Sequence, residues 1–246
     1  MTVAPRLRVV GPGRAGRSMA TALSRAGWQV VGLVERGADV TDAASGVDLV
    51  LIATPDAAIS DVAVAIEPTP EAVVAHLAGS LGLDVLDAHQ RRAAIHPLVA
   101  LPDAEVGAAR LSGAWFAVAG DPLVQRVAAD LGGRWFEVAD DQRATYHAAA
   151  VVASNHLVAL MGQVERIAAD IGVPGEAYLD LAVASLANVA ALGPADALTG
   201  PVARGDWETV ARHLAALDPS ELDAYRALAA QARRLVDGAG LPPELS

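Results

Sequence analysis

Leu7-Arg8-Val9-Val10-Gly11-Pro12-Gly13-Arg14-Ala15-Gly16 is the stretch on which the fold turns. Leu7 to Val10 is a short, nearly continuous apolar run, the pattern of a strand buried on both faces. It breaks at Gly11. A helix is predicted from about Arg14 to Arg25, with Met19, Ala22, Leu23 and Ala26 on one stripe and Gly27 as its stop. Glycines at 11, 13 and 16 between a strand and a helix have separate physical uses. The first permits a tight turn, the second lets the backbone approach a pyrophosphate, and the third lets helix and strand pack closely. The helix N-terminus then offers free N–H groups and its dipole to phosphate. Gly11, Gly13, Arg14, Ala15 and Gly16 are therefore expected to form a dinucleotide-binding turn.

Working outward, Val30 to Val34 reads as a second strand with Glu35 and Arg36 at its end. An acid about 20 residues beyond the glycines suits a ribose 2′-hydroxyl, which favours NAD, whereas an arginine suits a 2′-phosphate, which favours NADP. The pair leaves NAD or NADP open. Between Glu35 and Asp48 there is room for only a turn and about one helical turn near Thr41 to Ser45, while an ordinary crossover uses at least ~10–12 residues including its helix. Asp48 to Ala53 is a third strand, leading into Thr54-Pro55-Asp56 and a helix to about Ile66. Thr54 and Pro55 join the cofactor-binding candidates. Ala72 to Leu77, Arg92 to Ile95, Ala114 to Ala119 and Trp135 to Val138 read as further strands, with Asp121 to Leu131 helical. Alternation of this kind predicts an α/β fold: a Rossmann-like, doubly wound, mostly parallel sheet.

From Asp140 the period changes to helix throughout, so the expected division is a nucleotide-binding domain, 1–139, and an all-helical substrate and dimerisation domain, 140–246. Gln142 to Ile171 is predicted as one long helix. Pro174 opens another that runs to about Leu192, Gly193 to Gly205 reads as a loop, and helices close the chain near Asp206 to Leu217 and Ser220 to Val236. The apolar face from Ala148 to Val164 suits a homodimer core.

Composition narrows the chemistry. A net charge of −11 over 246 residues repels phosphate backbones, so nucleic acid is not an expected partner. Hydrophobic residues form 53% and charged residues 19% of the chain, ordinary for a globular protein, and no run suits a membrane span or signal peptide, so a cytoplasmic protein is expected. There is no cysteine, and every basic residue is arginine. Thiolate nucleophiles, Schiff bases and lysine acids are thereby excluded. The six histidines lack ligand spacing, so no metal is expected.

With Ala53-Thr54-Pro55-Asp56, His76 to Gly79, His96-Pro97-Leu98, Tyr146-His147-Ala148-Ala149-Ala150, Ser154-Asn155, Ala197 to Asp206 and His213-Leu214, the chain resembles a bacterial family of Rossmann-like oxidoreductases. Its members carry a helical C-terminal domain of unknown function and are related to ketopantoate reductases, in the 6-phosphogluconate dehydrogenase-like superfamily. The resemblance implies a nicotinamide-dependent reductase acting on a small carbonyl compound such as a 2-oxo acid. It also implies that Asn155 matches a superfamily asparagine whose lysine partner one turn earlier is Val151 here. His76-Leu77-Ala78-Gly79 likewise lacks the hydroxyls usual at that stretch.

Hydride delivery to a ketone needs an acid for the developing alkoxide and donors for the carbonyl. Without lysine or cysteine, His147 is the candidate acid, since histidine titrates near neutrality. Asn155 is its candidate catalytic partner about 12 Å along a regular helix, and Ser154 its neighbour on the same stripe. His96, at a strand end, and Thr199, Arg204 and Asp206, in the later loop, are candidate substrate contacts. Asp206 is equally suited to a helix N-cap, and His89 reads as a surface residue of a polar turn. The alternative reading is a non-catalytic metabolite-binding protein that keeps the fold, motivated by the short second crossover and the missing lysine.

Overall fold

The computed structural model describes residues 3–238 and 240–245. Contacts divide the chain into two compact units, one ending at Ser154 and one beginning at Asn155.

The first unit is built on a seven-stranded sheet: β1 (Arg6–Val10), β2 (Gln29–Val34), β3 (Leu49–Ile52), β4 (Val73–His76), β5 (Arg92–Pro97), β6 (Trp115–Gly120) and β7 (Arg134–Glu137). The spatial order is β2-β1-β3-β4-β5-β6-β7. All neighbours are parallel except β5 and β6, whose register pairs His96 with Ala117. The fold is the Rossmann-like, doubly wound one expected.

Strand periodicity explains why the middle strands are apolar at every position. Leu49 and Leu51 of β3 join the core on one face, with Leu7, Val9, Met19 and Leu23. Val50 and Ile52 join the core on the other, with Val10, Ile59 and Ile66. Helix α1 (Arg14–Arg25) and the later helices α3 (Ala104–Leu111) and α4 (Leu123–Asp130) cover the first face, and α2 (Ile59–Ala65) the second.

Helix α3 has no counterpart in the sequence reading. Its eight residues carry Gly107 at the centre, which blurs the stripe. That glycine has a packing reason: a Cβ there would stand 2.1 Å from Ser18 Oγ on α1.

The second crossover is as short as expected, with one 3-10 turn at Thr41–Ala44. Arg8 takes part of the place of the missing helix. Its guanidinium donates to the carbonyls of Asp42 and Ala43 at 2.7 and 2.8 Å, satisfying the turn from the strand beneath it. Such hydrogen bonds to a charged group contribute roughly 1.5–3 kcal/mol where they are well shielded.

Beyond β7 the chain is helical. Helix α5 (Arg143–Val151) is followed by a π-helical turn, Val152–His156, inside which the division into units falls. The second unit carries α6 (Leu157–Asp170), α7 (Gly175–Leu192), α8 (Pro194–Ala197), α9 (Pro201–Arg204), α10 (Trp207–Ala216) and α11 (Leu222–Asp237). The expected loop from Gly193 to Gly205 thus contains two one-turn helices, each with proline in its first turn after a positive-φ glycine. Ser154 and Asn155 lie inside the π-turn, so the regular-helix spacing expected for them does not hold. No helix among the described residues is long and apolar enough to cross a membrane.

Candidate functional site

Two clusters lie at the carboxyl ends of the parallel strands of the first unit, where open α/β sheets place their ligands. The first is the glycine turn. Gly11 has φ +80°, and a Cβ there would stand 2.7 Å from Thr54 Cγ2, so the turns after β1 and β3 meet face to face. Gly16 has no room either. Its Cβ would stand 2.9 Å from Gly11 O and 3.0 Å from Val9 Cγ1, which is how α1 settles onto β1.

Gly13 is different. Nothing lies within 4 Å of where its Cβ would be, and as N-cap of α1 it leaves the helix start without a side-chain cap or an acidic residue in the first turn. In the turn after β3, which packs against Gly11, Thr54 Oγ1 is buried with no hydrogen-bond partner. A helix N-terminus left open by its own side chains fits a phosphate group. Arg14 lies exposed in the first turn. Glu35 follows β2 and accepts from Arg17 of α1 at 2.7 Å, while Arg36 beside it is exposed. That pair holds the acid at the edge of the turn.

The second cluster is made of rings. His76 closes β4 in full burial. Its Nδ1 accepts from Ala78 N at 3.2 Å, so Nε2 carries the proton and donates to Gly82 O at 3.1 Å. Burial holds its pKa below the usual histidine range, and the nearby Arg143 adds to the effect. This neutral imidazole shapes the loop that carries Gly79 and Ser80. Ser80 donates to Asp56 at 3.2 Å, joining that loop to the one after β3.

Gly79 is the floor of the cluster. A Cβ there would stand 2.5 Å from His147 Cδ2 and 3.1 Å from both Cε1 and Nε2 of His96. The two imidazoles converge on it from α5 and β5, their centroids 5.8 Å apart and their planes nearly perpendicular. On its other edge His96 Nδ1 is 2.6 Å from Tyr146 Oη. Burial first, then the neighbouring His147 and Arg143, push the His96 pKa down to about 4, so the ring is neutral at pH 7. Burial pushes the Tyr146 phenol up to about 12, although Arg143 opposes that rise.

Arg143 stands one turn before them on α5. It is fully buried, its three guanidinium nitrogens have no hydrogen-bond partner, and its nearest ionic neighbour is Asp140, 3.5 Å away. Burial lowers its pKa and Asp140 opposes the change. Asp140 is partly engaged elsewhere, accepting from Leu83 N at 3.0 Å.

The sequence reading brought His96 and His147 forward separately, and the fold brings them together. Tyr146 and Arg143 were not singled out for chemistry. The available signal was their spacing, since Arg143, Tyr146 and His147 share one helical face at i, i+3 and i+4. His89 is buried, not at the surface, and bonds to Ala63 O at 2.8 Å.

In the π-turn, Ser154 donates back to Ala150 O at 2.7 Å and Asn155 is exposed. In the second unit Thr199 lines an apolar cavity of about 380 Å³ with Leu160, Val164, His213 and Tyr225. Arg204 is exposed at the end of α9, and Asp206 caps α10 by accepting from Thr209 N at 3.1 Å. Among the described residues no group of three or more acidic or histidine side chains is placed to hold a metal ion.

Comparison with known proteins adds context. Residues 116–232 match DUF2520, a domain of unknown function. No curated protein matches the sequence. Among solved structures, a candidate NADP oxidoreductase of Bacteroides fragilis is 20% identical over 94% of this chain and 98% of that one, with a TM-score of 0.76. A protein of Thermotoga maritima is 24% identical over the same shares, with a TM-score of 0.70. A reductive aminase of Aspergillus terreus, solved with NADPH and ethyl levulinate, is 17% identical over 99% of this chain and 98% of that one, with a TM-score of 0.68. These likenesses extend over nearly the whole chain and establish its fold.

Proposed function

We propose that the protein is an NAD(P)-dependent oxidoreductase that reduces a small carbonyl compound, with a 2-oxo acid of the ketopantoate kind as its substrate class. The observation that carries this reading is the open N-terminus of α1 at Gly13, in a turn whose Gly11 packs against Thr54, a residue with a buried, unpaired hydroxyl. The cofactor named for the Bacteroides and Aspergillus proteins supports it. When bound, the nicotinamide supplies the hydride. Gly11, Gly13, Arg14, Ala15, Gly16, Thr54 and Pro55 hold its phosphates. Glu35 favours NAD and Arg36 favours NADP, so the choice is read by titrating pure protein with NADH and NADPH in parallel. Failure of both to bind at millimolar concentration would sink the proposal.

His96 and His147 receive the carbonyl oxygen over Gly79, with His147 the candidate acid. Removing a positioned acid costs about 10²–10⁴ in rate, so His147→Ala is expected to lose at least about 100-fold in turnover. Asn155 is proposed as the catalytic partner of His147, tested by the kcat of its alanine variant. Ser154, Thr199, Arg204 and Asp206 are proposed substrate contacts, each tested by whether its alanine variant raises KM. Asp206 is the weakest of that set, because its carboxylate is committed to a helix cap.

The proposal keeps 1–139 as the nucleotide-binding part and 140–246 as the helical part. It adds a homodimer in the cytoplasm. Leu179, Leu181, Val183 and Leu186 of α7 are all half or more exposed, and that helix buries none of its residues. A helix this apolar is normally covered. A monomeric mass in solution at micromolar concentration would remove the dimer from the reading.

The short crossover at Glu35–Asp48 favours a second reading, a metabolite-binding protein without turnover. It is separated from the first by a panel of 2-oxo acids. Ligand-induced stabilisation with no cofactor oxidation would select it.

A further inference from the structure

We propose that Tyr146 is the proton source of a relay that runs through His96 to the substrate oxygen, with the buried Arg143 set to stabilise the tyrosinate left behind. The proposal deepens the reductase reading and rests on it.

The geometry begins with the 2.6 Å contact between Tyr146 Oη and His96 Nδ1. One of the two groups donates. A phenol is the better donor and a neutral imidazole the better acceptor, so the proton sits on Oη and the other His96 proton sits on Nε2. That Nε2 lies toward Gly79, beside the edge of His147. The imidazole is thus connected at both nitrogens: a donor behind it, and an N–H directed to the place where the two rings converge. A lone histidine as acid gives a proton and leaves itself short of one. Here the loss is made good from behind.

The step balances. Hydride from the reduced nicotinamide forms a C–H bond at the carbonyl carbon, and the C=O π pair moves to oxygen. In the relay His96 takes the acid role that the reductase reading gives His147, which is left to hold the oxygen: that oxygen takes the Nε2 proton of His96, while Nδ1 takes the proton of Tyr146. His96 ends neutral with its tautomer reversed, and Tyr146 ends as tyrosinate until solvent returns a proton.

A buried anion needs a partner. Arg143 has three nitrogens without a hydrogen-bond acceptor and full burial, a costly state for a guanidinium in the resting protein. Burial raises the Tyr146 pKa, and the charge of Arg143 is what opposes that rise in favour of the ionised form. Arg143 acts here as a positioning residue. The other charged or titratable groups around the relay are His147 on α5, His76 on β4, Asp56 after β3 and Asp140 before α5. At His96, Asp56 opposes Arg143 and the two histidines reinforce it, while Asp140 acts on Arg143 itself.

The test begins on the protein without cofactor. Nitrogen-15 NMR at neutral pH is expected to show His96 protonated at Nε2, with Nδ1 carrying the signature of a strong acceptor. Tyr146→Phe should erase that signature while keeping the edge contacts of ring 146 with His96 and Phe136. A His96 protonated at Nδ1 in the wild type would overturn the relay, whatever the activity. In turnover with NAD(P)H, Tyr146→Phe is expected to lower kcat about 100-fold with KM little changed, and to weaken the solvent isotope effect. Arg143→Gln should lower kcat about tenfold and move the alkaline limb of the pH profile upward, with Arg143→Lys restoring most of the loss. Wild-type kcat in Tyr146→Phe would also overturn the relay, leaving the reductase reading intact. Absence of NAD(P)H binding by the wild type would instead overturn the reductase reading and the relay with it.

Discussion

Two glycines in loops that follow strands of one sheet have opposite surroundings. Gly13 has open space where a Cβ would be, and Gly79 has two imidazole rings there. The first stands at an open helix start. The second is filled by the chain's own side chains, drawn from α5 and β5. Phosphate recognition at a helix start is a backbone property, needing absent side chains and little else. Proton chemistry needs particular atoms brought to one point, and here they come from elements about 50 residues apart in sequence, with Gly79 low enough to admit them.

The largest expected effect of breaking this contrast is at the filled glycine. Gly79→Ala places a Cβ 2.5 Å from His147 Cδ2. Overpacking of this kind costs about 1–3 kcal/mol, and displaced rings lower turnover by at least about 100-fold. Chemical denaturation and steady-state rates measure the two, and wild-type turnover would show that the rings do not act as placed.

Acid is the next lever, and of the two sites it acts on the ring cluster. His96 has its folded pKa depressed from 6.5 to about 4. Between those values the unfolded chain binds more protons, so this contribution is complete above pH 6.5 and is lost as pH falls toward 4. At full extent it is on the order of 3 kcal/mol. Melting temperatures at pH 7 and pH 5 should show the fall, and His96→Gln should flatten it.

Gly13→Ala sharpens the comparison from the other side. With nothing to strike, it is expected to leave stability within about 0.5 kcal/mol, yet weaken NAD(P)H about tenfold by obstructing the phosphate. Unchanged affinity would place the cofactor elsewhere. The smallest effect is at Glu35. Its pair with Arg17 is largely exposed, so Glu35→Gln should cost under about 1 kcal/mol while shifting preference from NADH toward NADPH. Parallel titrations read that shift.

The same contrast governs what was legible. Strands β1 to β7 stand in the sequence because each is a run of apolar or alternating residues bounded by turn signals. Helix α1 stands there because its stripe and its stop at Gly27 are local. Helix α3 did not show, since its central Gly107 serves a crossing with Ser18 of α1 that lies 89 positions earlier. The antiparallel step between β5 and β6 was equally hidden, because pairing direction is a property of the sheet and not of either strand. The π-turn at Val152–His156 changed the phase of a helix whose apolar pattern reads as regular.

By itself, then, the sequence determined the glycine turn, the order of strands and helices, the short second crossover and the absence of lysine and cysteine chemistry. These are local or compositional, and local sterics and hydrogen bonding decide them. Only the tertiary structure decided that Arg8 stands under the missing helix, that His96 meets Tyr146 and His147 over Gly79, and that Arg143 is buried without a hydrogen-bond acceptor. Each of those depends on which residues distant in sequence become neighbours, which packing of the whole sheet sets and no single stretch encodes.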